Sequence, residues 1–322
     1  MGLRGYFLTR SVQSIATAFA VVTFNFFLFR VLPGDPIRLL ARDYWLSPET
    51  EIELLRLYGL DKPLYEQYFI YLMNIFRGDW GLSFVYRRNV LDLVAEMMFN
   101  TVILVGPALI LAVAVGIGLG ILSASKGGKI DAVGLTFSAL SWAAPTFWVG
   151  MILLTVFSVL LRLFPLSGMI TAGIKYSSFL EYAGDLGRHM VLPLATLTLV
   201  LLGEYAIVMR ESVLDVLGED FVLIAKAKGA SRSQIFRDYV VPNSILPIIS
   251  IIAIRLGLVI AGTIQVETVF GWPGMGRLIF ESLLMRDYPV LQGVFLLVCF
   301  VIVFSNLIAD LLYAYVDPRV KY

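Results

Sequence analysis

The most unusual charge in the sequence is Arg255, which interrupts an otherwise uncharged run at about 243–266. At about 1.5 Å per residue, Arg255 would lie near mid-membrane if this run crosses a bilayer. A charge at that depth must face the bundle interior, water or a partner. We favour a residue on a translocation path that attracts anionic or carbonyl groups. The alternative is a structural arginine bonded to backbone carbonyls freed by a neighbouring proline, or to a partner subunit.

Patterns for catalysis or metal binding are missing from the sequence. Gly116, Gly118 and Gly120 lack the Lys-Ser/Thr that follows a phosphate-binding loop, and small residues spaced in this way favour close helix packing. His189 is the only histidine and Cys299 the only cysteine, so we predict no metal site and no internal disulfide. We expect His189 to have a surface or interfacial role. No Gly-x-Ser-x-Gly or His-Glu-x-x-His pattern occurs, and we predict no catalytic residue.

A long polar segment in the C-terminal half, residues 210–242, is called the helix-pair loop below. Its first short helix begins near Asp220 and ends with Lys226 and Lys228, which matches the helix dipole at both ends. Gly229 then supplies a left-handed stop, because glycine adopts positive φ without a steric penalty.

The second short helix of this loop begins with a predicted capping box. Ser231 is the N-cap, and Gln234 stands three residues later, where its side chain can reach back. Pro242 is expected to end this helix, because proline cannot continue the hydrogen-bond ladder. A polar helix pair held between apolar runs is typical of a docking element.

Composition places the chain among integral membrane proteins. About 59% of residues are apolar and only 15% are charged, whereas soluble domains are about a quarter charged. A net charge of +1 without a basic cluster gives no indication of nucleic-acid binding. Because a helix needs about 20 apolar residues to cross, we predict an all-α protein with six transmembrane helices. The runs cover about 11–31, 99–124, 133–161, 189–209, 243–266 and 289–314.

Lysine and arginine in the short loops predict the orientation in the membrane. They are concentrated on the side that holds both termini and the helix-pair loop. The positive-inside rule therefore makes this side cytoplasmic.

The long segment after the first span is external under this orientation, and its patterns predict ordered structure. Ser47 as N-cap and Pro48 at the first helical position begin a helix that Gly59 ends. Pro63 begins another, which would lie on the membrane surface or cap the bundle. Its apolar stripe consists of Leu64, Tyr68, Tyr71, Leu72, Ile75 and Phe76. We divide the chain into an N-terminal part, 1–98, and a core, 99–322.

The helix-pair loop resembles the signature of membrane-spanning permease subunits of prokaryotic ATP-binding-cassette importers. That signature places Glu-Ala-Ala six, five and four residues before a glycine, and Ile-x-Leu-Pro ending thirteen after it. Gly229 and Pro242 keep this spacing, and Ala225 holds the last alanine position. Leu223 and Ile224 depart from the pattern, because they replace its glutamate and first alanine.

Further blocks along nearly the whole chain resemble the dipeptide and oligopeptide group of these permeases. Tyr239 and Val241 stand where Ile and Leu are usual, and Arg255 stands near a common glutamine. The matching blocks are Pro33-Gly34-Asp35-Pro36, 58–63, Gly78-Asp79-Trp80-Gly81, Pro145-Thr146-Phe147-Trp148, 266–270, 273–278, 286–290 and Asp317-Pro318-Arg319.

The resemblance implies one half of a heterodimeric pore in the prokaryotic plasma membrane. The implied partners are a second, related permease, two subunits that bind ATP and Mg²⁺, and an extracytoplasmic substrate-binding protein. This chain itself would bind no cofactor and hydrolyse no ATP. The residues expected to couple it to the ATPases are Asp220, Ala225, Lys226, Ala227, Lys228, Gly229, Ser231 and Pro242. Dipeptides or oligopeptides are the expected cargo, with oligosaccharides, nickel and glutathione as alternatives.

Rival classes remain open. A secondary transporter would need no ATPase, but it predicts internal repeats that are not visible in this sequence. A membrane-embedded enzyme lacks a nucleophile–base constellation. A purely structural assembly subunit is the third alternative.

Overall fold

The computed structural model describes residues 3–31, 61–249, 251–252 and 263–316. Within these ranges the chain is helical, and its only bridge of β type is an isolated antiparallel pair, Leu82 and Asn89. The predicted helix after Ser47, the residues around Arg255 and the C-terminal residues 317–322 lie outside the described ranges.

The helices of the described residues are numbered α1 to α12 in chain order. The N-terminal ones are α1 (Leu3–Val31), α2 (Leu64–Arg77), α3 (Val90–Lys126), α4 (Gly128–Ala143) and α5 (Thr146–Leu153), which continues as a π-helix (Leu154–Leu160). Next come α6 (Phe179–Leu217), α7 (Asp220–Ala227) and α8 (Arg232–Gln234), followed by a second π-helix (Ile235–Val240). The last are α9 (Val241–Ser244), α10 (Ile264–Val269), α11 (Met275–Leu284) and α12 (Tyr288–Val316).

Four of the described helices, α1, α3, α6 and α12, are long and apolar enough to cross a membrane. The count rises to five if the bent pair formed by α4 and the continuous 146–160 helix is one span. These correspond to five of the six predicted runs, and residues 250 and 253–262 of the remaining one, 243–266, lie outside the described ranges. The α6 helix has 39 residues. At about 1.5 Å per residue it is about 58 Å long, so it extends well beyond a hydrocarbon core of about 30 Å.

The predicted run 133–161 is broken, which corrects the expectation of one continuous span. The helix axis turns by 100° between α4 and α5. Ala144 is extended, with φ −68° and ψ 131°, and Pro145 follows it as the N-cap of α5. The residue before a proline disfavours the helical region, which explains why the helix ends at this point.

One compact unit comprises residues 1–98 and 278–322. In it α1 packs along α12, and buried polar groups hold the connecting segments. The Asn25 side-chain amide donates to the Tyr71 hydroxyl at 3.0 Å and to the Gln292 carbonyl at 3.1 Å. The fully buried Asp287 carboxylate accepts from the Ser83 hydroxyl at 2.5 Å and from the Val85 amide at 3.1 Å.

The other compact unit comprises residues 99–277. In it glycines allow α3, α4 and α6 to approach closely. A Cβ on Gly116 would lie 2.7 Å from the Tyr205 Cβ, and one on Gly120 would lie 2.6 Å from the Ala206 carbonyl oxygen. The predicted packing role is therefore confirmed for Gly116 and Gly120. It is wrong for Gly118, which faces open space.

This difference between neighbouring glycines predicts unequal effects of the same substitution. Gly116→Ala should lower the melting temperature of the purified protein, because overpacking typically costs about 1–3 kcal/mol. Gly118→Ala is the matched control in the same helix, and it should leave the melting temperature unchanged or raise it through helix propensity. Equal melting temperatures for the two variants would contradict the close packing of α3 on α6.

Candidate functional site

The helix-pair loop has the local geometry that its sequence predicts. Its first helix, α7, carries Asp220 in the first turn and Lys226 in the last. Gly229 follows with φ +83°, in the left-handed region. The predicted capping box is also present: the Ser231 hydroxyl accepts from the Gln234 amide at 3.3 Å, and the Gln234 side chain accepts from the Ser231 amide at 2.8 Å.

The second helix does not end at Pro242, which corrects the prediction. The chain widens into the π-helix Ile235–Val240 and continues as α9, which has proline in its first turn. The Val241 amide bonds to the Phe236 carbonyl, five residues back. Proline is tolerated in a first helical turn, because its missing N–H would have no partner within that helix.

One face of the helix-pair loop belongs to the core of the membrane helices. Val222, Ala225, Ile235 and Val240 are at most 5% exposed. They lie in the same apolar cluster as buried residues of α3 and α6, which are Leu109, Ala112, Leu202, Tyr205, Met209 and Val213. Ala225 therefore faces inward, so its own contribution is packing rather than contact with a partner.

The opposite face of α7 is apolar and uncovered. Phe221, Leu223 and Ile224 are 38%, 53% and 55% exposed. Leu223 and Ile224, which replace the glutamate and first alanine of the family signature, thus lie on the surface. The other expected coupling residues, which are Asp220, Lys226, Ala227, Lys228, Gly229, Ser231 and Pro242, are exposed as well.

Two polar contacts tie this region to the neighbouring helices. The Arg210 guanidinium in α6 donates to both carboxylate oxygens of Asp131 in α4, each at 2.5 Å. This is the bidentate geometry that makes arginine–carboxylate pairs strong and directional. The Arg232 guanidinium in α8 donates to the Ser125 carbonyl near the end of α3. Together they connect α3, α4, α6 and α8.

A second polar site lies in the buried turn 263–277. Glu267 is fully buried. Its carboxylate is the acceptor in each of its described hydrogen bonds. Its carboxylate accepts from the Thr101 hydroxyl at 2.9 Å, the Arg277 amide at 3.0 Å and the Thr263 amide at 3.4 Å. A Cβ on Gly274 would lie 2.5 Å from this carboxylate, so only glycine fits there.

Further bonds fix the same turn to the start of the core part of α3. The Trp272 indole donates to the Asn100 backbone carbonyl at 2.9 Å, and the Asn100 side-chain amide donates to the Pro273 carbonyl at 2.8 Å. Trp272 and Met275 are completely buried. The carboxylate therefore organises a rigid turn.

His189 is also buried, at 7% exposure, which corrects the prediction of a surface role, and an interfacial role stays a prediction. Its Nδ1 lies 2.9 Å from the Asp185 carbonyl oxygen. The Asp185 carboxylate binds the preceding loop, because it accepts hydrogen bonds from the Thr171 amide at 2.7 Å and from the Tyr176 hydroxyl at 2.6 Å. This bond to a carboxylate raises the pKa of the Tyr176 phenol.

Sequence reasoning did not identify Glu267, Thr101, Asp131 or Arg210 as structural centres. Glu267 was visible only as part of the block 266–270, and its burial could not be read from its flanks. Arg255, the expected path residue, lies outside the described residues, so its role stays a prediction.

Comparison with known proteins identifies the family. The model for the binding-protein-dependent transport system inner membrane component matches residues 116–322. The model for the N-terminal part of such membrane components matches residues 3–105. The chain belongs to this family. It is a permease subunit of an ATP-binding-cassette importer and a multi-pass inner-membrane protein. In such importers, separate subunits bind and hydrolyse the ATP.

Individual permeases are similar to the chain over nearly its whole length. The dipeptide transport system permease protein of Escherichia coli (strain K12) is 36% identical, with 98% of each chain covered. The oligopeptide transport system permease protein of Bacillus subtilis (strain 168) is 35% identical over 99% of this chain and 100% of its own length. The glutathione transport system permease protein of Escherichia coli (strain K12) is 35% identical, with 98% and 99% covered.

Because hydrogen-bond donors surround the Glu267 carboxylate, we predict that replacing it with the isosteric amide of glutamine lowers the thermal stability of this permease. Glu267→Gln would turn an NH₂ group toward donors on one side or the other. Leaving buried donors unsatisfied costs about 1–3 kcal/mol. Thermal unfolding of the purified variant should therefore begin at a lower temperature than that of the wild type. Glu219→Gln is the control, because Glu219 is exposed and its side chain makes no capping bond. Identical unfolding curves for both variants would show that the Glu267 carboxylate is dispensable.

Proposed function

We propose that this permease forms half of a pore that imports dipeptides or oligopeptides. A second, related permease supplies the other half. Two ATPase subunits bind on the cytoplasmic side, and a substrate-binding protein delivers cargo from outside. Both termini and the helix-pair loop are cytoplasmic in this arrangement, as the distribution of lysine and arginine predicts.

The single observation that carries the proposal is the two-sided character of α7. Its inner face, with Val222 and Ala225, is buried in the apolar cluster formed with α3 and α6, and its outer face exposes Phe221, Leu223 and Ile224. Apolar side chains grouped on an exposed helix are typical of a surface that a protein partner covers. We assign this face to a groove on an ATPase subunit. At Leu223 and Ile224 the contact is apolar, whereas the family pattern has glutamate and alanine there.

The same packing supplies a route from the ATPase to the pore. ATP binding favours one of two arrangements of the ATPases, and a ligand shifts such an equilibrium by its difference in affinity for the two states. Displacement of α7 is transmitted to α6 through the shared apolar cluster, and to α4 and α3 through Arg210 and Arg232. The expected motion is rigid-body movement of helices rather than melting of the loop.

Peptides are the best-supported cargo. The named relatives transport dipeptides, oligopeptides and glutathione, and glutathione is itself a tripeptide. Oligosaccharides and nickel stay alternatives on family resemblance alone. The binding protein does much of the selection, so binding measurements on that protein separate these classes.

A single charge on the exposed face of α7 tests the proposed docking. Leu223→Asp should reduce the amount of ATPase subunit that co-purifies with the permease, because a charge would have to be desolvated in an apolar contact. Cargo uptake should fall in proportion, while the amount of permease in the membrane stays unchanged. Ser233→Asp adds the same charge to an exposed position of the same loop without removing apolar surface, and it should co-purify normally. Normal ATPase recovery with Leu223→Asp would refute docking through this face.

A further inference from the structure

The α2 helix has its polar face turned toward the protein. Gln67 is buried, and its side-chain amide donates to the Lys62 carbonyl at 2.7 Å. The Tyr71 hydroxyl accepts from Asn25. Gln67, Tyr71 and Asn74 line a cavity of about 120 Å³ together with Arg30, Asp79 and Gln292. Residues four and three apart lie on one helix face, so these positions form a continuous inward stripe.

The opposite face of α2 is apolar and exposed. Tyr65, Phe69, Met73 and Phe76 are 65%, 64%, 54% and 89% exposed. They share one side of the helix, because they are spaced by four, four and three residues. The stripe predicted from the sequence is therefore divided: Tyr68 and Tyr71 pack on the α1 residue Phe26, whereas Phe76 points away.

This arrangement is the reverse of a helix at a water-exposed surface. Such helices bury the apolar stripe and expose the polar one. Since the polar side chains of α2 face the protein and its apolar side chains face outward, the medium around α2 is itself apolar. We infer that the face formed by Tyr65, Phe69, Met73 and Phe76 is embedded among lipid acyl chains, so that α2 is an interfacial membrane helix.

The depth of α2 along α1 agrees with this inference. The Thr23 hydroxyl lies 2.7 Å from the Tyr68 hydroxyl, and Asn25 bonds to Tyr71. These two α1 residues lie seven and five residues before Arg30, near the end of the span. At about 1.5 Å per residue this is about 8–10 Å below that end, within the roughly 5–10 Å to which interfacial helices bury their apolar faces.

Lipid is favoured over a protein partner by continuity of the apolar surface. On α1, Phe24, Phe27 and Leu28 are exposed beside the contact with α2. Because α1 is long and apolar enough to span the membrane, side chains exposed on it at this depth meet acyl chains wherever no partner subunit covers them. The exposed face of α2 extends the same surface. Under the proposed orientation, the leaflet that contains α2 is the outer one. The inference depends neither on the cargo nor on the docking of ATPases.

Spin-label accessibility tests the inference directly. Cys299 is the only native cysteine, so Cys299→Ala provides a background for single labels at Phe69→Cys and Phe76→Cys. The full-length permease, with the subunits that purify with it, is placed in nanodiscs of phosphatidylethanolamine and phosphatidylglycerol. Collision rates of the label are measured with oxygen, which concentrates in lipid, and with a water-soluble nickel chelate. Asp61→Cys, in the exposed turn before α2, is the aqueous control.

The expected result is a high oxygen rate and a low nickel rate at positions 69 and 76, with the reverse at position 61. A high nickel rate at 69 and 76 would overturn the inference by placing this face in water. Low rates with both reagents would also overturn it, because they would show that a protein subunit covers the face.

Discussion

The packing of the helix-pair loop against α6 decides whether a displacement of α7 reaches the membrane helices. Val222, Ala225, Ile235 and Val240 lie in one apolar cluster with Tyr205, Met209 and Val213. Burying a valine or isoleucine side chain contributes about 1.5–3 kcal/mol. Separating the loop from α6 would therefore cost several such terms, and separating it from α3 would break the bond from Arg232 to Ser125. A force applied to the exposed face of α7 consequently moves the membrane helices and does not separate the helix-pair loop from α6.

Buried polar groups have a different task in this permease, because they hold irregular segments where water cannot satisfy the backbone. Glu267 holds the turn 263–277 and Asp287 holds residues 83–85, each by accepting several hydrogen bonds. Asn25 plays a similar part on α1, where it bonds to α2 and α12. Buried groups of this kind are stabilising only when their partners are all in place. This requirement explains why glycine stands at position 274, where a side chain would displace the Glu267 carboxylate.

Local features of the site were predictable from sequence, whereas features set by distant contacts were not. The start of α7, the positive φ of Gly229 and the capping box of Ser231 and Gln234 depend on neighbouring residues, and they are confirmed. The burial of His189 depends on tertiary packing that no local pattern reports. The α2 stripe was misread because its outward face is apolar as well, so periodicity alone does not show which side faces the protein. Pro145 and Pro242 mark the positions where regular helix geometry is interrupted, but the sequence does not show how. The helix axis bends by 100° at Pro145, and a π-helix precedes Pro242.

The shared apolar cluster predicts that α7 and α6 move as one body when the ATPases bind nucleotide. This movement is measured by the distance between a spin label at Ala227→Cys on α7 and one at Val191→Cys on α6, in the Cys299→Ala background. The distance is measured by double electron–electron resonance in the assembled transporter, without nucleotide and with ATP under conditions that block hydrolysis. Movement of α7 and α6 as one body predicts the same mean distance and the same width of the distance distribution in both states. A shift or broadening on ATP binding would show that the loop hinges on α6, and it would contradict rigid transmission.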